Sequence, residues 1–305
     1  MQVVAIVIVG AAILYANGLG SVYGLIDDIH RENKLEIYHC NLFRGKWATL
    51  PHHKPSYTSQ TCPFSFQEYD CLKNGCNRTD SIRYVWRPDA GCTYPTFDGK
   101  NFLKIFKGKR IMFVGDSIGH SQWLSFLCML HASAYNVWIK FSRNDYLVNI
   151  VGEKNKRILK LDSIKKGAAV WKDAEVLVFN TWNEGLQYGI KKSWDVIQEG
   201  KTTHKNLDQL KGPSPDHTKA KTCKNHTKAS GLVHHGEAIL EKVVHQISKG
   251  IHFMNTTALS EKREDGHPSA YGGRKPDHCN QWCLPGLPDN WNDFLYAALL
   301  HKLDN

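Results

Sequence analysis

The clearest hydrophobic pattern of the chain covers residues 110–131. An apolar run from Arg110 to Val114 is typical of a short strand, a tight turn follows, and apolar side chains then recur at helical spacing as far as Leu130. Further short apolar runs predict strands at 136–141, 146–151, 157–161, 175–180 and 251–254. Amphipathic patterns predict helices over 232–248 and 289–303. Helices between short hydrophobic strands favour an α/β fold with a mainly parallel sheet covered on both faces.

The pattern also divides the chain into regions. Residues 27–39 are polar and look like a stalk. Residues 40–98 are rich in cysteine, proline and aromatic residues, which predicts a loop-rich segment that must be held on a neighbouring core. The α/β pattern occupies 99–305, and within it 200–230 is rich in lysine, threonine and histidine and is predicted to be a loop.

The amino terminus is apolar and uncharged. The run from Val3 to Ala16 matches the hydrophobic part of a signal peptide, and its weaker continuation to Ile26 reaches the length of a membrane anchor. No basic residues precede it, so residues 1–26 are predicted to be either a cleaved signal peptide or a signal-anchor. A buried core helix is the less favoured interpretation.

Composition narrows the class of protein. Of 305 residues, 42% are hydrophobic and 22% charged, which is ordinary for a globular protein and unlike a disordered one. The formal net charge of +10 favours an anionic partner, such as an acidic polysaccharide or membrane headgroups. Nucleic acid is the weakest option, because the basic residues are dispersed and no nucleic-acid-binding motif is present.

Nine cysteines and three glycosylation sequons agree with an oxidising, secretory compartment. The cysteines contain no paired CxxC, so disulfides are favoured over a zinc site, and no metal site is predicted. An odd number leaves one cysteine over. The sequons begin at Asn77, Asn225 and Asn255.

Ser117 is the first candidate for chemistry. It ends the Gly-Asp-Ser turn between the predicted strand and helix, where backbone N–H groups of the helix start lie beside its hydroxyl. Those donors would stabilise an oxyanion, so the position suits acyl transfer through a serine ester. The alternative is an ordinary serine at the start of a helix.

Several segments together resemble the plant trichome birefringence-like family of polysaccharide O-acetyltransferases, from about Cys40 to the end of the chain. The segments are CNLFRGKW (40–47), CPFSFQEYDCLKNG (62–75), YVWRPDAGC (84–92), the GDS block, LKLDSI (159–164), VLVFNTW (176–182), DGHPSAYGG (265–273) and CNQWCLPGLPDNWNDFLYAAL (279–299). The resemblance implies an SGNH-hydrolase-like core and a lumenal Golgi-membrane or secreted enzyme. Such an enzyme acetylates a wall glycan such as xylan, mannan or pectin.

The resemblance also implies a disulfide framework. Matching positions would pair Cys40 with Cys92, Cys62 with Cys128, Cys71 with Cys283 and Cys223 with Cys279, with Cys76 as the remaining thiol.

The chain departs from the family at the residues that should assist Ser117. Family members carry an Asp just before the first cysteine of the last motif and a His three residues after that Asp; here these positions hold His278 and Gln281. An amide is not a useful base, whereas His278 has suitable chemistry at the more distant position. Asp277 is a weaker candidate to orient it.

Other positions at the predicted site are less specific. His267 is a weak candidate base, with a structural or glycan-contacting role as the stronger interpretation. Asn180 resembles the asparagine of SGNH sites and is predicted, with Asp116, to serve an oxyanion, although a strand-end turn role is equally consistent. Asn183 lies where relatives commonly have His.

The resemblance further implies that the chain is short near 210–214, where relatives carry a helix and a strand. Loss of that strand would open a gap in the sheet or re-pair its neighbours.

We therefore expect acetyl transfer by double displacement through Ser117, from a donor of unknown identity and with no bound cofactor, to a cell-wall polysaccharide. The membrane is a further partner if the first segment is retained. The alternatives are an acetylesterase and a catalytically inactive polysaccharide-binding relative.

Overall fold

In a computed structural model of the chain, the described residues are 4–9, 41–64, 67–74, 82–131, 137–144, 149–153, 156–160, 165–171, 173–180, 204–206, 251–267 and 282–303. Their strands are β1 (Val4–Val9), β2 (Gly45–Thr49), β3 (Tyr84–Pro88), β4 (Arg110–Gly115), β5 (Trp138–Arg143), β6 (Asn149–Glu153), β7 (Lys156–Lys160), β8 (Val176–Asn180), β9 (His204–Asn206) and β10 (Ile251–Asn255). Their α-helices are α1 (Gly99–Ile105), α2 (Ser117–His131), α3 (Lys165–Trp171), α4 (Thr257–Glu261) and α5 (Leu287–Leu303).

The central sheet has the strand order β10-β1-β8-β4-β5. Strand β4 pairs in parallel with both β5 and β8, and β1 pairs antiparallel with both β8 and β10. Four of these strands therefore run in one direction and β1 runs against them. The predicted mainly parallel α/β sheet is confirmed.

Both faces of this sheet are covered, as predicted. Ile111 and Phe113 of β4 belong to the large core that also includes buried side chains of α1, α2 and α5. Met112 and Val114 point to the opposite face, where they pack with Trp171 of α3. The alternation along β4 is the period of two that a strand imposes on its side chains.

A smaller antiparallel sheet, of order β6-β7-β9, corrects two expectations. The runs predicted at 146–151 and 157–161 form β6 and β7, but they pair with each other and not with the central sheet. Strand β9 pairs with β7 inside the stretch predicted to be a loop, so that prediction is wrong at 204–206. Its polar sequence gives no apolar alternation, and backbone pairing decides its conformation. The predicted helix over 232–248 lies outside the described residues.

Strand β1 lies within residues 1–26, the segment predicted to be a signal peptide or signal-anchor. The run Val-Ala-Ile-Val-Ile-Val is rich in β-branched residues, which favour strands. Strand β1 lies between β8 and β10 and pairs with both, so it connects these two strands within the sheet. Among the described residues, no helix is long and apolar enough to cross a membrane. The predicted stalk over 27–39 lies outside the described residues.

The cysteine-rich segment is held to the α/β domain by covalent and polar links. Strands β2 and β3 pair antiparallel, and the Trp47 indole donates to the carbonyl of Leu259 in α4 at 2.9 Å. Cys62 is bonded to Cys128 at the end of α2, and Cys71 is bonded to Cys283. These two predicted disulfides are confirmed.

The other predicted links reach beyond the described residues. Cys92 is disulfide-bonded, and its predicted partner Cys40 lies outside them. Cys76, Cys223 and Cys279 also lie outside them.

Candidate active site

Ser117 is the first residue of α2, directly beyond the carboxyl end of β4. Parallel pairing sets Gly115 of β4 opposite Asn180 of β8, so Asn180 lies at the same edge of the sheet. Ser117 is half-buried, and within the described part of the chain its hydroxyl has no hydrogen-bond partner. Ser117 thus lies half-buried at a strand-to-helix turn, and its role as a nucleophile stays a prediction.

Gly119 lets α2 begin very close to this edge. A Cβ added to Gly119 would clash with the carbonyl oxygen of Asn180. A side chain there would have to displace helix or strand, so glycine sets the close packing of the serine turn against β8.

One of the backbone N–H donors beside Ser117 already has a hydrogen-bond partner. The carboxylate of Asp116 accepts the N–H of Ile118 at 2.8 Å, which occupies one of the helix-start donors that an oxyanion would need. Asp116 is 5% exposed, and its role is to fix the turn that presents the serine. Its predicted part at an oxyanion stays a prediction.

Asn180 is enclosed beside the turn. It is 1% exposed, and its side-chain amide donates to Gln122 at 2.8 Å. Its Oδ1 and the Nε2 of Gln122 are buried and have no hydrogen-bond partner among the residues that the structure describes. The amide thus lies at the predicted edge of the sheet, and its donation to an oxyanion stays a prediction.

His120 is a residue at this site that the sequence reasoning missed. Its imidazole lies in a cage of aromatic rings, with ring centroids 5.0 Å from Phe141 and 5.4 Å from Trp123. Its Nδ1 is 3.3 Å from the hydroxyl of Tyr69. The available signal was its position three residues after Ser117, on the same face of the predicted helix.

The cross-linked C-terminal turn lies along α2. Cys283 is bonded to Cys71, and the N–H of Leu284 donates to the carbonyl of Tyr69 at 2.8 Å. Leu284 packs with Leu124 of α2. The predicted site residues Asp277, His278 and Gln281 precede this turn and lie outside the described residues, as does Asn183.

His267 lies in the packed interior under the same turn. It is 1% exposed, and its ring centroid is 4.0 Å from that of Trp282. The neighbouring carbonyl of Gly266 accepts the N–H of Cys283 at 2.7 Å. These contacts support the structural interpretation of His267, and its weaker catalytic role stays a prediction.

A buried polar network joins α2 to α5. Asn292 donates to the carbonyl of Gln122 at 3.1 Å and to the hydroxyl of Ser125 at 2.8 Å. Ser125 and Tyr57 both donate to one carboxylate oxygen of Asp289, at 2.5 and 2.7 Å. The network fixes the helix that carries Ser117 against the C-terminal helix.

A cavity of about 710 Å³ lies at the other end of α2. It is lined by Tyr94 and Phe97 of the cysteine-rich segment, by Asp289 and Asp293 of α5, and by Met129. Met129 is twelve residues after Ser117, which corresponds to about 18 Å along a helix. The cavity therefore does not contain the proposed nucleophile. Its acids were missed by the sequence reasoning, although their spacing of four sets them on one face of α5.

Two further predictions concern the surface and metals. Asn255 is half-buried at the end of β10, and its side-chain oxygen accepts the N–H of Thr257 at 3.3 Å. Glycosylation there stays a prediction, and Asn77 and Asn225 lie outside the described residues. Across the residues that the structure describes, no group of three or more His, Cys, Asp or Glu side chains is arranged to hold a metal ion.

Comparison with known proteins identifies the class. A model of a GDSL/SGNH-like acyl-esterase family found in Pmr5 and Cas1p matches residues 94–136, 131–214 and 212–298. A model of the PMR5 N-terminal domain matches residues 38–93. The chain belongs to this acyl-esterase family, and the resemblance inferred from its motifs is confirmed.

The relatives are Arabidopsis thaliana proteins. Protein trichome birefringence-like 43 is 36% identical, over 86% of this chain and 89% of the relative. Proteins trichome birefringence-like 38 and 42 are 34% and 33% identical, over 85% and 92% of this chain and 84% and 94% of the relatives. The alignment with the first spans 329 positions, more than the 305 residues of this chain, so this chain lacks segments that the relative has.

Proposed function

We propose that this protein is an O-acetyltransferase of plant cell-wall polysaccharide, with xylan, mannan or pectin as the acceptor. The observation that carries the proposal is the half-buried hydroxyl of Ser117 at the start of α2, which has no hydrogen-bond partner among the described residues. Membership of an acyl-esterase family supports acyl transfer as the chemistry of that serine. The similarity to trichome birefringence-like proteins supports the glycan acceptor.

The reaction proceeds by double displacement. The oxygen of Ser117 attacks the carbonyl carbon of an acetyl donor, the donor's leaving group departs, and an acetyl-serine remains. A sugar hydroxyl then attacks the acetyl-serine and releases the serine. Helix-start N–H groups of α2 that Asp116 does not occupy would stabilise the negative charge that develops on the acetyl oxygen.

We place this chemistry in the secretory pathway, either in the Golgi lumen or at the cell wall. The two described disulfides support an oxidising compartment. The net charge of +10 supports attraction to an acidic wall polymer such as pectin.

Acetylation of Ser117 tests the proposal directly. The full chain is incubated with para-nitrophenyl acetate, and the acetylated peptide is located by mass spectrometry, with Ser117→Ala as the negative control. Deacetylated xylan, mannan or pectin oligosaccharides should then take the acetyl group and restore the free serine. A wild-type protein that gains no acetyl group at Ser117 would contradict the proposal.

An acetylesterase would use the same acetyl-serine with water in place of the sugar. The two activities are separated by one comparison, in which transfer to deacetylated oligosaccharides is measured against acetate release from acetylated ones. We expect transfer to exceed hydrolysis.

The cavity beside α5 favours one other function, which is polysaccharide binding without turnover. Tyr94 and Phe97 offer apolar ring surface, and Asp289 and Asp293 offer hydrogen-bonding groups, in a volume within the usual range of ligand pockets. Under this alternative, Ser117→Ala binds pectin oligosaccharides as well as the wild type does, neither protein is acetylated, and Tyr94→Ala weakens binding.

A further inference from the structure

Ser117 and His120 are neighbours on one face of α2. Residues three apart on a helix have Cβ atoms about 5–6 Å apart. Long side chains on a helix lean toward its N-terminus, so the imidazole of His120 extends back over the turn that Ser117 begins. Helix geometry therefore sets the two side chains on one face of α2, one turn apart, which is the arrangement that proton transfer between them requires.

The surroundings of His120 hold the ring in place and leave one nitrogen available. Rings from β5, from α2 and from the cysteine-rich segment surround it, and Tyr69 is 3.3 Å from Nδ1. If Nδ1 carries the hydrogen and donates it to the Tyr69 oxygen, Nε2 has a free lone pair. Among the described residues, no hydrogen bond occupies Nε2.

Burial, more than the charges that face it, favours the neutral form of His120. Burial lowers the pKa of His120, the Glu68 carboxylate raises it, and the Arg143 guanidinium lowers it. Burial is the largest of these effects, so the net pKa lies below the ordinary value of 6.5. A neutral imidazole at neutral pH is the form that can accept a proton.

We infer that His120 is the general base for Ser117, with Tyr69 as the residue that positions it. The inference rests on the proposed acyl transfer at Ser117 and deepens it. It supplies a general base for Ser117 in a chain whose position for the family's histidine holds Gln281, which cannot act as a base.

The steps balance with an acetyl ester as the acyl donor. Nε2 of His120 takes the proton of the Ser117 hydroxyl as the serine oxygen forms its bond to the acetyl carbon. The bond from that carbon to the donor's alcohol oxygen then breaks, and the imidazolium returns its proton to the departing oxygen. In the second half, Nε2 takes the proton of the sugar hydroxyl that attacks the acetyl carbon, and it returns this proton to Ser117.

His120→Phe is the decisive variant, because phenylalanine keeps an aromatic ring among Tyr69, Trp123 and Phe141 but cannot accept a proton. The full chain is mixed with para-nitrophenyl acetate over a range of pH, and the rate of acetyl-Ser117 formation is followed by mass spectrometry. His131→Phe is the matched control, since His131 is exposed at the far end of the same helix. The melting temperature of each variant reports folding.

We expect His120→Phe to slow acetylation by about 10²- to 10⁴-fold. The wild-type rate should rise with pH through a pKa below 6.5 and then level off, and His120→Phe should lose this step. Free imidazole should restore acetylation to His120→Ala, including in the case that His120→Phe does not fold. Tyr69→Phe should lower the rate with a smaller loss, because it removes only the partner of Nδ1.

The result that overturns the inference is a folded His120→Phe that is acetylated at the wild-type rate with an unchanged pH profile. In that case Ser117 remains the nucleophile and another group is its base. A wild-type protein that is never acetylated contradicts the proposed function itself, so the two failures are distinguishable.

Discussion

Two acids of α5, Asp289 and Asp293, show how strongly one residue's surroundings affect its chemistry. Burial raises the pKa of Asp289 to about 6, although hydrogen bonds from Ser125, Tyr57 and the Gly286 N–H act in the opposite direction. Burial also raises the pKa of Asp293 to about 7, the Phe97 N–H opposes it, and the nearby charge of Asp289 adds to the rise. Both folded-state values lie above the ordinary 3.8.

The folded protein therefore holds protons that the unfolded chain releases between about pH 4 and 7. These two groups stabilise the fold fully below about pH 4, and their contribution is lost as the pH rises through their folded pKa values. We expect the urea midpoint to fall between pH 5 and pH 7.5. Asp293→Asn, which keeps the acceptor for Phe97, should reduce this fall, whereas Asp173→Asn at an exposed site should not. A wild-type midpoint that rises over the same range would contradict this assignment.

At the scale of elements, strand β1 matters most, because it lies inside the central sheet between β8 and β10. Val7 is paired with Val178 of β8 on one side and with His252 of β10 on the other. The resemblance to relatives with an additional strand predicted either a gap or re-paired neighbours, and in the structure β1 stands between β8 and β10. The same apolar run that predicts a signal peptide or signal-anchor also has the β-branched composition of a strand.

Val7→Pro tests whether the folded protein uses this strand. Proline removes the N–H of Val7 and leaves a carbonyl of a neighbouring strand unpaired inside the sheet, which costs about 1–3 kcal/mol. We expect the free energy of unfolding of the full chain to fall by that amount, with Val7→Ile as a control that keeps the β-branched strand. An unchanged free energy, or a mature protein that mass spectrometry finds without residues 4–9, would show that β8 and β10 do not depend on β1.

The sequence correctly predicted the elements whose conformation follows from the hydrophobic pattern of their own residues. Strands β4 and β8, the start of α2 at Ser117 and helix α5 follow from local hydrophobic patterns, and all are present. Strand β9 was missed because its pairing with β7 bridges distant segments. His120 had a local signal in its position three residues after Ser117, but its contact with Tyr69, 51 residues away in the chain, follows from no local pattern.

At the scale of the whole molecule, the cysteine-rich segment is bonded to two different parts of the α/β domain. Cys62–Cys128 joins it to the far end of α2, and Cys71–Cys283 joins it to the C-terminal turn. Tyr69, two residues before Cys71, contacts both that turn and His120. The second disulfide therefore holds a residue of the proposed site, whereas the first lies about 16 Å along α2 from Ser117.

The two disulfides should differ in what their loss does. In the chain-entropy model, links across 66 and 212 residues stabilise by about 4 and about 5 kcal/mol. Replacing either pair of cysteines by serine should therefore lower the melting temperature by similar amounts. Acetylation of Ser117 is measured at a temperature below the melting transitions of both double variants. It should fall at least tenfold in Cys71→Ser with Cys283→Ser, because Tyr69 is then no longer held beside His120. It should stay near the wild-type rate in Cys62→Ser with Cys128→Ser. Equal rates in the two variants would show that the bond at Cys71 stabilises the fold without positioning the site.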